Sequence, residues 1–142
     1  MTLPTDLEIS PATEEEVRSG FVGRQLREFN YRFTGTYPEV QYIRLNARTG
    51  DEVVGGIRAQ VAMYWLHVEV LWVHEDLRGS GVGSRLLAQA EQAGRELGAH
   101  SASLETFEWQ APKFYARHGY RELVRIENYI DNYYLARMTK RL

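Results

Sequence analysis

Apolar and polar residues follow two periodicities along the chain, one typical of strands and one typical of helices. Alternating segments predict strands at residues 7–9, 40–48, 52–61, 66–73, 101–107, 120–127 and 133–139. A stripe at helical spacing predicts a long helix that opens within residues 78–87 and ends at Gly98. Shorter helices are expected near residues 11–29 and 111–118, and the aromatic segment 30–38 is expected to be a loop.

Local signals sharpen the start of the first helical segment. Thr13 and Glu16 have the spacing of a capping box, and the Ser-Pro pair at residues 10–11 offers an alternative start. Gly20 and Gly23 interrupt the apolar stripe that follows. The segment is therefore expected to form two short helices or one bent helix.

The order of the elements predicts the fold class. A strand, a helix and a strand within residues 66–107 imply two parallel strands joined by a right-handed crossover. The other strands follow one another through short turns, which favours antiparallel pairing. We expect a mixed α/β (α+β) fold: a mostly antiparallel sheet with one parallel β-α-β crossover and helices on both faces. No repeat or linker divides the sequence, so a single domain over residues 1–142 is expected.

Composition and charge narrow the class of protein. Of the 142 residues, 44% are hydrophobic and 25% are charged, and the net charge of -2 gives no basic field for nucleic acid or an anionic membrane. The absence of cysteine excludes disulfides, thiolate metal sites and a cysteine nucleophile. His74, His100 and His118 lack ligand spacing, so no metal is expected. Without a secretory signal pattern or an apolar run of ~20 residues, we expect a cytoplasmic protein.

Residues 66–87 carry the strongest functional signal. A predicted strand leads into a polar turn, after which Gly79, Gly81 and Gly83 open the long helix. Glycines at alternate positions allow a tight turn and leave the backbone open to a ligand. The first amides of a helix have no partner inside it and lie at the positive end of the helix dipole. The segment therefore predicts a binding site for a phosphate group.

Three kinds of phosphate site compete for this segment. A nucleotide P-loop requires lysine followed by serine or threonine, but Ser84-Arg85 follows the last glycine and no lysine lies nearby. The dinucleotide fingerprint is nearly matched, yet it belongs to the first strand and helix of a doubly wound sheet, for which this chain is too short. The third kind of site is more specific, because a second segment supports it.

The pattern Arg78-x-x-Gly81-x-Gly83 resembles the acetyl-CoA pyrophosphate motif of the GNAT superfamily of N-acetyltransferases, which lies between that family's fourth strand and third helix. Residues 111–120 (APKFYARHGY) are similar to the family's small-helix motif, which ends in Tyr, three residues, Gly and an aromatic residue. The order of elements also matches across essentially the whole chain. One position departs from the pattern, because Glu108 stands where the family often has asparagine.

The resemblance implies acetyl-CoA as cofactor, bound by the glycine loop and the strand before it. The implied cofactor-binding residues are Leu71, Trp72, Val73, Arg78, Gly79, Ser80, Gly81, Val82, Gly83 and Ser84. The loop would offer main-chain amides to the pyrophosphate, and Arg78 would add a charged contact or form a surface salt bridge. The strand would splay from its neighbour, so that main-chain groups of Leu71 and Val73 could bind the pantetheine arm.

The resemblance also implies an acid and a base. Tyr115 matches the family's acid for the departing thiolate, and a phenol with a pKa near ~10 suits that role. Family members often have a carboxylate in the region of the central strand, where Glu69 is favoured over His67 as the base. Because side chains alternate, both are expected on one face, together with Leu71 and Val73. Packing or substrate anchoring is the alternative role for each.

The expected function is N-acetylation of a primary amine on a small molecule or peptide. Residues expected to flank or attract this acceptor are Tyr31, Phe33, Glu105, Glu108, Tyr129, Tyr133 and Tyr134. Two alternatives stay open: a module that holds an acyl-CoA without turnover, and a dinucleotide-binding protein. An exposed aromatic strand edge would also allow a homodimer.

Overall fold

The computed structural model describes all 142 residues and divides them into two compact units, Met1–Tyr37 and Pro38–Leu142. The first unit is helical and the second contains the whole sheet. None of the helices is both long and apolar enough to traverse a bilayer.

The first unit contains two helices, α1 (Glu14–Ser19) and α2 (Phe21–Thr34). The Thr13 hydroxyl accepts from the Glu16 amide at 3.2 Å, and the Glu16 carboxylate accepts from the Thr13 amide at 2.8 Å. The capping-box start is therefore confirmed over the alternative at residues 10–11. Gly20 lies between the helices with φ +66°, a conformation that favours glycine, so the predicted break is also confirmed.

Two predictions for this unit are wrong. Residues 7–9 form no strand, because two alternating apolar residues without a neighbouring strand cannot hold an extended ladder. Residues 30–34, expected to be a loop, are the last turn of α2. The Thr34 hydroxyl donates to the Asn30 carbonyl at 3.2 Å, and the helix ends at Gly35, where φ is +71°.

The second unit is a six-stranded mixed sheet with order β1-β2-β3-β4-β6-β5. Its strands are β1 (Gln41–Thr49), β2 (Glu52–Ala62), β3 (Trp65–Val73), β4 (Ser101–Phe107), β5 (Arg121–Ile130) and β6 (Tyr133–Arg141). Only β3 and β4 are parallel, and α3 (Val82–Glu96) joins them. A short helix, α4 (Pro112–Arg117), follows β4. The predicted mixed fold with one parallel crossover is confirmed.

The core lies between the sheet and the helices α3 and α4. Leu66 of β3 and Leu87 of α3 are completely buried there, and a Cβ built on Gly94 would lie 3.4 Å from Leu66. Tyr115 and Tyr120 extend the core beneath α4. At the far side of the sheet β5 is an edge strand whose residues are all exposed, and its use in a homodimer stays a prediction.

A β-bulge interrupts β3 at Glu69. Arg58 of β2 pairs with Val70 and Ala59 pairs with Val68, so Glu69 is one extra residue without a partner on β2. An extra residue shifts the alternation of side chains by one position. Before the bulge, the even-numbered residues Leu66 and Val68 face the core. After it, the odd-numbered residue Leu71 packs against the same core, so the face that the alternation points to has changed.

Candidate active site

The parallel strands β3 and β4 separate towards their carboxyl ends. Their pairing runs from Trp65 opposite Ser101 to Val68 opposite Leu104 and then stops. A cavity of about 560 Å³ opens between the unpaired ends. It is lined by Glu69, Val70, Leu71, Trp72, Val73, Arg78, Glu105, Thr106, Trp109, Gln110, Ala111 and Tyr115. This β3–β4 cavity brings together predicted cofactor-binding and catalytic residues from three elements.

The main chain of β3 presents free polar groups to the cavity. In the β2–β3 pair, the His74 amide donates to the Val54 carbonyl at 2.8 Å. Because hydrogen-bonded and non-hydrogen-bonded positions alternate, Trp72 is bonded to β2, while Leu71 and Val73 direct their N–H and C=O groups the other way. On that side β4 has already separated, which leaves both main-chain groups of Leu71 and the Val73 amide open to an extended ligand, while the Val73 carbonyl accepts from Arg78.

The turn before α3 has the form expected of an anion site. Gly79 and Gly81 have φ of +78° and +94°, and Gly81 caps the helix without any side-chain hydrogen bond. The first intrahelical bond joins the Arg85 amide to the Gly81 carbonyl at 3.0 Å. Backbone amides without a protein acceptor belong to Gly79, Gly81, Val82, Gly83 and Ser84. Together with the positive end of the α3 dipole, these amides form a cradle for a phosphate group.

Two loop residues have partners that the sequence did not indicate. The Ser80 amide donates to the Leu77 carbonyl at 3.3 Å, and the Ser80 hydroxyl also donates to that carbonyl, so this amide is occupied. Arg78 forms no surface salt bridge, and its contact with a pyrophosphate stays a prediction. Its Nε donates to the Val73 carbonyl at 3.1 Å, which ties the start of the loop to the end of β3.

The α4 helix places Tyr115 at the cavity. The side chain is 7% exposed, and its ring meets those of Phe114 and Tyr120 edge-on at 5.2 and 5.7 Å. Its hydroxyl makes no hydrogen bond to protein, yet no buried side-chain oxygen or nitrogen lacks a partner, so the hydroxyl is accessible from the cavity. Burial raises the pKa of Tyr115 to about 12, which keeps the phenol protonated at neutral pH.

The helices α3 and α4 pack directly on one another beside this cavity. A Cβ built on Gly83 would lie 3.5 Å from the Phe114 ring and 3.6 Å from Val73. The Ser84 hydroxyl and His118 Nε2 are 3.0 Å apart. The glycine turn and the helix that carries Tyr115 are therefore in contact at Gly83–Phe114 and Ser84–His118.

The structure separates the two candidate bases. Glu69 lines the cavity and makes no hydrogen bond or ion pair with another protein group. His67 lies outside the cavity lining, and its Nδ1 is 2.9 Å from the Ser103 hydroxyl. Burial lowers the pKa of His67, and the nearby charge of Arg137 lowers it further, while Glu69 has the opposite effect.

The expectation that Glu69 and His67 share a face with Leu71 and Val73 is wrong. Strict alternation would give that result, but the bulge at Glu69 shifts the pattern. Leu71 and Val73 pack against the core, on the side opposite to the His67–Ser103 contact.

The predicted acceptor residues are distributed over several places. Glu105 lines the β3–β4 cavity and is paired with Arg137 at 2.6 Å. Glu108 and Tyr134 line a second cavity, of about 810 Å³, beside α4 and the β5–β6 pair. In the first unit, the Tyr31 hydroxyl donates to the Tyr37 carbonyl at 3.2 Å, and Phe33 packs against Phe29. A role of Tyr31 and Phe33 in acceptor binding stays a prediction.

Five cavity residues were missed by the sequence analysis: Val70 and Ala111, and a group of three, Thr106, Trp109 and Gln110. All three lie at or just after the end of β4. Their place in the chain could have indicated them, because residues at the carboxyl end of a parallel strand lie beside the crevice where ligands bind. The tryptophan directly after the strand could have been found in this way.

Comparison with known proteins places this geometry in a family. The model of the acetyltransferase (GNAT) family matches residues 10–120. The chain belongs to this family. Members of the GNAT family use acetyl-CoA, and the cradle at α3 and the open main chain of β3 fit a ligand that has a diphosphate and an amide-containing arm.

Relatives of this GNAT protein include proteins named as acetyltransferases. Blasticidin-S acetyltransferase from Streptomyces morookaense is 47% identical over 79 residues, which cover 55% of this chain and 58% of that protein. The chain spans about three-fifths of the length of the curated relatives it matches.

Solved structures support the GNAT fold over a larger part of the chain. An acetyltransferase from Bacillus cereus has a TM-score of 0.82 and 28% identity, covering 96% of this chain and 98% of that one. A Bacillus anthracis acetyltransferase solved with acetyl coenzyme A has a TM-score of 0.65 and 23% identity, covering 79% of this chain and 68% of that one. At that identity the second likeness concerns the fold alone.

Proposed function

We propose that this GNAT protein transfers the acetyl group of acetyl-CoA to a primary amine. One observation carries the proposal: the β3–β4 cavity joins the open main chain of β3, the Tyr115 hydroxyl and the unpaired Glu69 carboxylate, and it reaches Arg78 at the start of the glycine loop. An extended thioester cofactor needs such a gap, and acyl transfer needs an acid and a base at its reacting end.

The cofactor would be held mainly by backbone groups. The amides of Gly81, Val82, Gly83 and Ser84 would bind the diphosphate. Leu71 would bind the pantetheine arm through its N–H and C=O groups and Val73 through its N–H, since the Val73 carbonyl accepts from Arg78. Trp72, whose main chain is paired with β2, would contribute through its exposed side chain. These contacts fix the position of the thioester along β3.

The remaining chemistry is proton movement. When bound, acetyl-CoA supplies a thioester whose C–S bond is exchanged for a new C–N bond. The Glu69 carboxylate accepts a proton from the amine, which frees the nitrogen lone pair. The Tyr115 hydroxyl donates its proton to the departing sulfur, and the second N–H proton, which the nitrogen loses as the amide forms, restores the Tyr115 hydroxyl. The raised pKa keeps Tyr115 protonated at neutral pH, although it also makes the phenol a weaker acid than a thiol with a pKa near ~8.5.

The names of two relatives bear on the class of the acceptor. The relative from Streptomyces morookaense is described as acting on blasticidin S, and other relatives include an aminoalkylphosphonate N-acetyltransferase from Salmonella typhimurium. These names support a small amine acceptor for this chain as well. A peptide amine stays the alternative within the same chemistry.

The test combines binding with turnover. Calorimetry with acetyl-CoA, CoA and NAD measures which cofactor binds, and thiol release then measures turnover with a panel of amines and a short peptide. Acetyl-CoA binding with amine-dependent CoA release supports the proposal. Binding without release by any amine would favour a non-catalytic acyl-CoA module, and binding of NAD alone would favour a dinucleotide-binding protein.

A further inference from the structure

Four aromatic side chains form a continuous cluster at the carboxyl end of β4. The rings of Phe107 and Trp109 are stacked, with centroids 4.5 Å apart and planes 9° apart. Tyr133 meets Trp109 edge-on at 5.0 Å, and Tyr129 is tilted against Phe107 at 5.7 Å. These four side chains are termed the aromatic shelf.

The shelf faces solvent beside the β3–β4 cavity. Trp109 lines the cavity itself, and Trp109, Tyr129 and Tyr133 remain 51%, 50% and 41% exposed. Packing covers only part of these rings, although aromatic side chains contribute most to stability when they are buried. A contiguous exposed aromatic surface beside a cavity is typical of a ligand-binding site.

Two local features hold the shelf in position. The turn after β4 is closed by two 2.9 Å hydrogen bonds, in which the Gln110 amide donates to the Phe107 carbonyl and the Phe107 amide donates to the Gln110 side chain. Across from it, residues 127–129 of β5 lie opposite a single β6 residue, and Asn128 has φ +52°. Bulges of this kind redirect side chains and often lie next to active sites, and this one directs Tyr129 against Phe107.

The charge of the cavity complements an amine. Its two carboxylates are Glu69, which has no partner, and Glu105, which is already paired with Arg137. The only cation in the lining is Arg78, which is tied to the Val73 carbonyl. One unpaired carboxylate suits one ammonium group, whereas a linear polyamine would need several free carboxylates.

We propose that the aromatic shelf recognises the acceptor and selects primary amines that are carried on a flat aromatic or heteroaromatic ring. The inference rests on the proposed acetyl transfer. One face of Trp109 is stacked on Phe107, and a ring of the acceptor would extend that stack on the other face. The amine of the same molecule would then point into the cavity towards Glu69.

The test compares two amines of equal carbon count that differ in planarity, 2-phenylethylamine and 2-cyclohexylethylamine. For the wild-type protein we expect kcat/KM to favour the flat ring by about three- to tenfold, the range expected for one aromatic contact. Trp109→Leu should abolish this preference and leave acetyl-CoA affinity unchanged. Tyr42→Leu, which removes an exposed aromatic side chain on the edge strand β1, should keep the preference.

The outcomes separate this inference from the function on which it rests. Equal kcat/KM for both amines in the wild type, or a preference that survives in both Trp109→Leu and Tyr129→Leu, would overturn the shelf but leave acetyl transfer intact. If acetyl-CoA binds and neither these amines nor a wider panel releases CoA, the transferase proposal fails, and the shelf proposal fails with it. Thermal melting of each variant checks that a lost preference does not reflect unfolding.

Discussion

Glu69 owes its place at the cavity to one extra residue in β3. Without the bulge, continuous alternation from Leu66 and Val68 would direct Leu71 and Val73 away from the core. With it, Leu66 and Val68 before the bulge and Leu71 and Val73 after it pack against the core, and the Glu69 carboxylate lies where the strands separate. A single insertion thus satisfies the core and the cavity at once.

We expect Glu69→Gln to slow acetylation most at low pH. A primary amine with a pKa near ~10 is then almost entirely protonated and depends on the carboxylate to remove its proton. As pH rises towards that pKa, more of the amine arrives unprotonated, so the deficit in kcat/KM should shrink. The measurement is a pH profile of kcat/KM for the variant and the wild type.

His67→Gln is the matched control for that experiment. Burial and Arg137 lower the pKa of His67, so the imidazole is mostly neutral at pH 7, and a glutamine side chain can keep a hydrogen bond to Ser103. The pH profile of this variant should follow the wild type. A pH-dependent loss in His67→Gln with none in Glu69→Gln would make His67 the base.

Tyr115→Phe should lower kcat at least tenfold while acetyl-CoA affinity stays within about twofold. The change removes only the hydroxyl, which bonds no protein group, and keeps the ring contacts with Phe114 and Tyr120. Steady-state kinetics and calorimetry provide the two numbers. Unchanged kcat would exclude Tyr115 as the acid.

At the scale of secondary-structure elements, the strands with the most regular apolar patterns were predicted most accurately. β4 was predicted over exactly the residues it occupies, and β1 and β3 began or ended within one residue of their observed bounds. Each has an alternating or continuous apolar pattern and a buried face. The bulge at Glu69 could not be predicted, because it depends on the register of β2 rather than on the sequence of β3 alone.

Errors arose where a local pattern lacked support from elsewhere in the chain. Residues 7–9 alternate but have no strand to pair with. Residues 30–34 contain aromatic and β-branched residues, and the helix nevertheless continues to Gly35. Trp109 was missed as a cavity residue because it lies in a turn whose form is set by Gln110, not by periodicity.

The positive φ of Gly81 allows a test of the glycine loop as the cofactor site. Gly81→Ala should weaken acetyl-CoA binding at least tenfold, because φ of +94° is strained for alanine and relaxing it would redirect the cradle amides. Gly50→Ala is the matched control, since Gly50 has φ +59° in the exposed β1–β2 turn and equally open surroundings. Both should lose similar stability, and only Gly81→Ala should lose affinity by calorimetry. If Gly81→Ala bound acetyl-CoA as tightly as the wild type, the glycine loop would not be part of the cofactor site.

For the molecule as a whole, tyrosines in the core link stability to alkaline pH. Tyr120 donates to the buried Glu91 carboxylate at 3.3 Å, and Lys140 pairs with the same carboxylate at 2.7 Å. Burial, and then the charge of Glu91, raises the pKa of Tyr120. Burial alone raises the pKa of Tyr115 to about 12. Both phenols therefore favour the folded state only while they keep their protons.

The free energy of unfolding should therefore fall as pH rises above 10. The unfolded chain ionises its tyrosines near pH 10, whereas folded Tyr115 holds its proton to about 12, so the stability from this group is complete below pH 10 and lost through 12. Between pH 9 and 12, the free energy of unfolding measured by urea titration should fall by about 1–2 kcal/mol less for Tyr115→Phe than for the wild type. Tyr42→Phe, at an exposed site, should follow the wild type. Parallel curves for all three proteins would contradict the assignment.

The contacts of Gly83 with Phe114 and of Ser84 with His118 join the glycine loop to α4. Cofactor binding and acceptor recognition are thus proposed for different parts of the molecule. The parts proposed to bind the coenzyme and to protonate its sulfur are in direct contact, while the aromatic shelf is carried by the last residue of β4, the turn after it and the β5–β6 hairpin. We therefore expect substitutions in the shelf to change the choice of acceptor more than the binding of the coenzyme. A protein arranged in this way can change its acceptor specificity while it keeps the same cofactor site.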